Sequence, residues 1–173
     1  MKIISSKKIK VSKWVSLVSN VVEEKKKQSE YHSIEVHDYV NVLAINKKAE
    51  VLLVKQFRPA MNKKTIELPG GIITNNQRPE IVAKNELLEE TGYRVKGRMK
   101  KIGRIDIDYG RINNNAYGFF TENIEYDSKF KTEESIETLK LPLKEFIEKV
   151  KKNQFCHSPH LCFVLLAKLK KII

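Results

Sequence analysis

The segment Glu86-Leu87-Leu88-Glu89-Glu90-Thr91-Gly92 decides how this chain is read. Residues three and four apart share a helix face. A helix here brings Glu86, Glu89 and Glu90 to one side. Like charges that close repel, and they cost stability unless a cation sits among them. A hard divalent ion with a preference for oxygen, Mg²⁺ or Mn²⁺, suits the set. The plain alternative is a solvated acidic helix face, and the triplet alone does not decide against it.

The boundaries of that helix are written nearby. Pro79 opens it, because a missing N–H is harmless in a first turn. Arg78 at the cap position is a poor capping residue. Gly92, directly after Thr91, supplies the stop. Upstream, Glu67-Leu68-Pro69-Gly70-Gly71 ends a short extended piece that starts at Thr65, and Gly70-Gly71 allows a tight backbone approach.

Strand patterns flank this centre. Val11 to Val22 reads as a strand, Glu23 to Glu30 as a charged turn, and Tyr31 to His37 as a returning strand. Val40–Ala44 and Glu50–Phe57, joined at Asn46-Lys47-Lys48, read as a hairpin in the body of a sheet. Further strands are expected from Tyr93, over Lys101–Asp108, Asn115–Thr121 and Ile136–Leu141. The polar connection Glu125–Glu134 is long, and such loops often carry function. Leu143–Lys152 is an amphipathic helix with Phe146, Ile147 and Val150 inward. Ser158-Pro159 opens a last helix to about Lys168 that buries Leu161, Val164 and Leu165. The expected fold is α/β, a mixed sheet with helices on its faces.

The length, 173 residues, suits one domain with a real core. Hydrophobic content of 41% and charged content of 31% are ordinary for a globular chain. A net charge of +12 favours anionic partners such as nucleotides or nucleic acid. The lysines are scattered over turns and ends, which argues against a groove built for nucleic acid. Cys156 and Cys162 lack a metal-binding spacing and are expected as buried thiols in a reducing compartment. No apolar run is long enough to span a membrane, and the basic N-terminus lacks a signal peptide's apolar core. A cytoplasmic location is expected.

Gly71-(x5)-Gln77-(x7)-Asn85-Glu86-Leu87-Leu88-Glu89-Glu90-Thr91-Gly92-Tyr93 resembles the Nudix box, Gly-x5-Glu-x7-Arg-Glu-U-x-Glu-Glu-x-Gly-U, with U a bulky apolar residue. Gly71, Glu86, Leu87, Glu89, Glu90 and Gly92 match, and Tyr93 fills the last apolar place. Gln77 stands where that family has Glu, and Asn85 where it has Arg. The stretch Gln56-Phe57-Arg58-Pro59, followed by Glu67-Leu68-Pro69-Gly70-Gly71, resembles the ADP-ribose pyrophosphatase-like branch. So does Thr132-Glu133-Glu134-Ser135-Ile136-Glu137, and then Leu141-Pro142-Leu143-Lys144-Glu145. The likeness covers roughly residues 40 to 170.

This resemblance implies a Nudix α/β/α sandwich around a mixed sheet, with the domain over 39–173. It implies hydrolysis of the pyrophosphate in ADP-ribose or a nucleotide sugar, giving a nucleoside monophosphate and a sugar phosphate. It implies Mg²⁺ or Mn²⁺ held by Glu86, Glu90, Glu89 and the Gly70 carbonyl. The general base it implies is Glu134, with Glu133 second and Glu89 beside the metals. For Glu133 and Glu134 the plain alternative is a solvated acidic loop. The branch forms homodimers, which makes residues 1–38 a dimerisation element.

The residues support this chemistry. Pyrophosphate cleavage needs neutralised phosphate oxygens and an activated water. Arg58 at a strand end suits bidentate pairing with a phosphate, or else a surface salt bridge. Glu67 could accept from a ribose hydroxyl or pair with a nearby lysine. Trp14 and Tyr31 fit packing better than base stacking. Asn85 and Gln77 remove a positive charge and a carboxylate, which predicts a slower enzyme or fewer bound metals. Other readings are a nucleotide- or RNA-binding module with weak or no hydrolysis, and an RNA 5′-end pyrophosphohydrolase.

Overall fold

The alternation of apolar residues along three central strands organises the structure, a computed structural model that describes residues 1–173. In β4 (Tyr39–Ala44), Val40, Val42 and Ala44 face one side while Leu43 faces the other. In β5 (Glu50–Arg58), Leu52 faces the first side, and Val51 and Leu53 the second. In β9 (Ile112–Thr121), Phe119 and Phe120 divide the same way. A strand with both faces apolar needs cover on both. Helix α1 (Pro79–Thr91) covers one face with Val82, Ala83 and Leu87. Helices α2 (Leu143–Lys151) and α3 (Ser158–Leu169) cover the other with Phe146, Phe163, Val164 and Ala167. The expected α/β/α sandwich is therefore what forms.

Gly118 explains the close fit of α3. A Cβ at that position would overlap the Phe163 ring, so glycine lets the helix approach the middle of β9.

The strands form a mixed sheet in the order β1 (Lys2–Lys10), β2 (Val15–Glu24), β3 (Lys27–Val36), β9, β4, with β8 (Lys100–Asp108) on the other edge of β9. β4 runs parallel to β9, and β8 antiparallel to it. A second sheet has the order β11 (Glu137–Pro142), β5, β6 (Lys63–Glu67), and β7 (Tyr93–Val95) pairs with β10 (Ile124–Tyr126).

This topology corrects the expected hairpin of Val40–Ala44 with Glu50–Phe57. The two strands enter different sheets, and their ladder pairing is limited to an Ile45–Val51 bridge beside the turn. The local pattern of two apolar strands around a turn is the same in either case, and partners distant in sequence decide it. The charged turn is also shorter than expected. β2 and β3 pair up to Glu24 and Lys27, leaving only Lys25 and Lys26 in the turn, both with positive φ. On α3, Val164 is buried but Leu165 faces out. Cys156 and Cys162 are exposed rather than buried; Cys162 lies on α3, whose inner face is taken by Phe163, Val164 and Ala167. No helix is long and apolar enough to cross a membrane.

The N-terminal strands project from this body. Every residue of β1 is exposed. β3 joins β9 through the single pair Ile34–Ile112. Arg111 strengthens that joint, donating to the His32 carbonyl at 2.7 Å and stacking over the Tyr31 ring.

Candidate active site

The site forms where the strap Leu68–Gly71 passes between β4 and the last turns of α1. The strap lies along β4: the Val42 N–H donates to the Pro69 carbonyl at 2.8 Å and the Val40 N–H to the Gly71 carbonyl at 2.9 Å. Between them, Gly70 turns its N–H to α1 and donates to Glu90 Oε2 at 2.8 Å. Both glycines are sterically required. A Cβ on Gly70 would overlap the Val40 carbonyl, and one on Gly71 would overlap the Glu86 carboxylate. Gly71 thus leaves the space that Glu86 fills.

Spacing on the helix separates the three glutamates. Glu90 is buried, Glu86 half-buried and Glu89 exposed. Burial raises the Glu86 carboxyl to about 7, with Glu89 and Glu133 adding to the effect. Burial likewise raises Glu90 to about 8; the Gly70 N–H and Arg58 oppose that rise, while Glu86 and Glu133 reinforce it. The pair therefore holds negative charge poorly on its own.

The C-terminal end of α1 is tied down carbonyl by carbonyl, which fixes where the acidic side chains emerge. The Thr91 hydroxyl donates to Leu87, the Gly92 N–H to Leu88, the Glu133 N–H to Glu89 and the Thr138 hydroxyl to Glu90. Gly92 has φ 74, the left-handed conformation of a helix stop. The Glu133 bond docks the acidic loop onto the helix beside Glu89. Both Glu133 and Glu134 are exposed; Glu133 comes within electrostatic reach of Glu86 and Glu90, and Glu134 follows it in a turn.

Arg58 and Glu67, expected to contact substrate separately, pair with each other. The Arg58 Nε and Nη2 groups donate to the two Glu67 oxygens, each at 2.7 Å. The Thr65 hydroxyl adds a bond to Glu67 Oε1 at 2.6 Å. Burial pushes the Glu67 carboxyl up, but the Arg58 fork, Thr65 and the Arg58 charge bring it down to about 2. Glu67 is thus saturated by partners, and the half-exposed Arg58 is held in one orientation near Glu90.

The two departures from the box lie at the periphery. Asn85 is exposed on α1. Gln77 closes the loop before the helix, its N–H donating to the Thr74 carbonyl at 3.0 Å and its side chain accepting from the Thr74 hydroxyl at 3.3 Å.

A divalent ion fits what is present. Glu86 and Glu90 are hard oxygen donors whose charged forms are disfavoured mainly by burial and further by neighbouring carboxylates, so a cation between them is favourable. No three His, Cys, Asp or Glu side chains converge on one point, so these two carboxylates need backbone or solvent oxygens to complete a shell. Two groups near the strap were missed by sequence reasoning. Buried His160 and Asn41 meet beneath it, 119 residues apart in the chain. No local signal links them.

Residues 35–161 match the family model described as NUDIX domain. The chain belongs to the Nudix family. It is 28% identical over 118 residues to a protein of Bacillus subtilis (strain 168) named ADP-ribose pyrophosphatase, covering 66% of this chain and 63% of that one. It is 31% identical over 137 residues to a GDP-mannose pyrophosphatase of Shigella flexneri serotype 5b (strain 8401), covering 69% of each. The chain thus spans roughly two thirds of the length of these relatives, 63% and 69%. A solved structure titled as an ADP compounds hydrolase superposes with a TM-score of 0.81 over 96% of this chain and 91% of that one. At 13% identity, that likeness speaks for the fold.

Proposed function

We propose that this chain hydrolyses the pyrophosphate of ADP-ribose or a related nucleoside diphosphate sugar, with Mg²⁺ or Mn²⁺ as cofactor. The observation that carries this reading is the Glu86–Glu90 pair, half-buried and buried respectively, packed against the glycine strap and charged at a cost that a cation offsets. The names of the Bacillus and Shigella relatives support the substrate class.

Glu86 and Glu90 would hold the ion, with the Gly70 carbonyl as a backbone ligand and Glu89 at the rim. Bound there, a divalent ion neutralises phosphate oxygens and acidifies water. The protein's own groups do the rest. Arg58, oriented by Glu67, pairs with a phosphate. Glu133 takes the proton of the attacking water, with Glu134 as the alternative base on the same loop. The water oxygen bonds to one phosphorus as the bridging P–O bond breaks. The products are a nucleoside monophosphate and a sugar phosphate.

The N-terminal strands, residues 1–38, fit a homodimer contact. Ile9 pairs with Leu17 and Leu17 with Ile34, forming an exposed apolar row across β1, β2 and β3. Such a row is usually covered by a partner. If a second copy covers it, Leu17→Glu should convert a dimer to a monomer in sedimentation velocity.

The activity is tested by incubating the protein and Mg²⁺ with ADP-ribose, nucleotide sugars, dinucleoside polyphosphates and NADH. Phosphomonoester products from ADP-ribose or a sugar nucleotide support the reading. No turnover of any of them, with the ion bound, refutes it.

A further inference from the structure

Four hydrogen bonds hold the strap against the body of the protein: the Gly70 N–H donates to Glu90, the Pro69 and Gly71 carbonyls accept from β4, and a fourth is unusual. Pro69 and Gly71 use their carbonyls on β4, as an added strand would. The Leu68 N–H instead donates to His160 Nδ1 at 3.2 Å. His160 is 2% exposed and lies in the first turn of α3.

That bond fixes the state of the ring. A neutral imidazole that accepts at Nδ1 carries its proton on Nε2. Nε2 lies 2.9 Å from the Asn41 carboxamide, at the atom assigned as Nδ2. Two donors would then face each other. Turning the carboxamide by half a rotation, which exchanges nitrogen and oxygen without changing shape, gives Nε2–H donating to the Asn41 oxygen. Before that exchange the carboxamide oxygen is buried without a donor, and the contact with His160 is the hydrogen bond that orients Asn41. Asn41 in turn lies directly under Gly70, 2.9 Å from where a Cβ on that glycine would stand.

We infer that His160 is a positioning residue for the metal-binding strap. One ring nitrogen holds Leu68 directly, and the other orients Asn41, whose carboxamide packs under Gly70, so the two contacts fall on either side of Pro69. This fixes the distance between the Gly70 backbone and the Glu86–Glu90 pair. Burial and the neighbouring His157 keep the ring neutral, so the pattern of one donor and one acceptor persists. The inference rests on the reading that Glu86, Glu90 and Gly70 hold the ion.

The test compares the wild-type protein with His160→Leu and His160→Asn. Mn²⁺ affinity is measured by electron paramagnetic resonance of the free ion, and kcat and KM with ADP-ribose. Loss of a group that orients a ligand typically costs ~10–100-fold in metal affinity or activity. His160→Leu should weaken Mn²⁺ binding and kcat by ~10-fold or more while KM changes less than about twofold. His160→Asn places an amide oxygen near the Nδ1 position and should recover part of the loss. A purely structural role would lower the melting temperature and leave the Mn²⁺ affinity of the folded variant unchanged, which overturns the inference. If His160→Leu does not fold, His160→Gln, which still reaches Asn41 but abandons Leu68, is read by the same criteria. Wild-type protein that binds no Mn²⁺ refutes the metal site itself. Wild-type binding with unaltered variants refutes only the positioning role.

Discussion

Glu90 accepts the Gly70 N–H at 2.8 Å, so the strap and helix α1 meet at one buried carboxylate. That contact joins two segments of the family motif in space. It also places a carboxyl group where its charge is poorly tolerated. The consequences for stability and activity can be measured separately.

The first consequence is pH dependence of the metal-free fold. Glu86 and Glu90 titrate near 7 and 8 in the folded chain, above the ordinary value of 4.5. A group raised on folding contributes stability that is present at low pH and lost as pH rises through the folded value. Metal-free protein should therefore lose melting temperature between about pH 4.5 and 8. Mg²⁺ should restore it, since a ligand bound only by the folded state adds about 2.7 kcal/mol at a hundred times its dissociation constant. Glu67 acts oppositely in acid: its contribution is present above 4.5 and fades as pH falls through about 2. Thermal melts in chelator and in Mg²⁺ across this range give the answer, and a flat chelator profile contradicts the burial argument.

Arg58 and Glu67 should behave as one unit. Arg58→Ala removes a phosphate contact and leaves Glu67 buried without its fork. The expected loss is about 1–3 kcal/mol of stability, discounted because Arg58 is half exposed, with a rise in KM. Arg58→Lys should not rescue it, since a single ammonium does not reproduce the two-point contact. A double-mutant cycle with Glu67→Gln should show strong coupling in KM; additive effects would separate the two roles.

Asn85 tests the departure from the family pattern. An arginine at that exposed position would stand one turn from Glu89 and adjacent to Glu86. Asn85→Arg should raise metal-dependent turnover by roughly 3- to 10-fold through better orientation of the carboxylates. Unchanged kcat and Mn²⁺ affinity would show that orientation does not limit this site.

The β2–β3 turn carries two lysines at φ 49 and 64. Left-handed backbone disfavours residues with a Cβ by about 1 kcal/mol. Lys26→Gly should stabilise the N-terminal hairpin by about that amount, seen as slower amide exchange in β2 and β3. Unaltered exchange would place the strain elsewhere.

Much of this architecture was legible locally. Pro79 and Gly92 bracket α1 as their backbone preferences require, and Glu86 and Glu90 share a face by helical spacing alone. What escaped the sequence depended on long-range placement. The β4 and β5 strands look like a hairpin, yet β4 finds β9 and β5 finds β11 and β6. Glu133 gains its position from a backbone bond to the end of α1, which no spacing encodes. Arg58 and Glu67 are nine residues apart across a turn, and only the folded hairpin shows that they pair. Nothing local singles out His160, because its partners, Asn41 and Leu68, lie far from it in the sequence.

The central claim is that Glu86 and Glu90 hold a catalytic ion. Glu90→Gln keeps the shape and an acceptor for the Gly70 N–H but removes the charge. The decisive measurement is hydrolysis of ADP-ribose by wild-type and Glu90→Gln proteins, alongside Mn²⁺ binding. The variant should stay folded, bind Mn²⁺ far more weakly, and lose more activity than the ~10–100-fold cost of removing a supporting group. Retention of wild-type turnover and Mn²⁺ affinity by Glu90→Gln would contradict it.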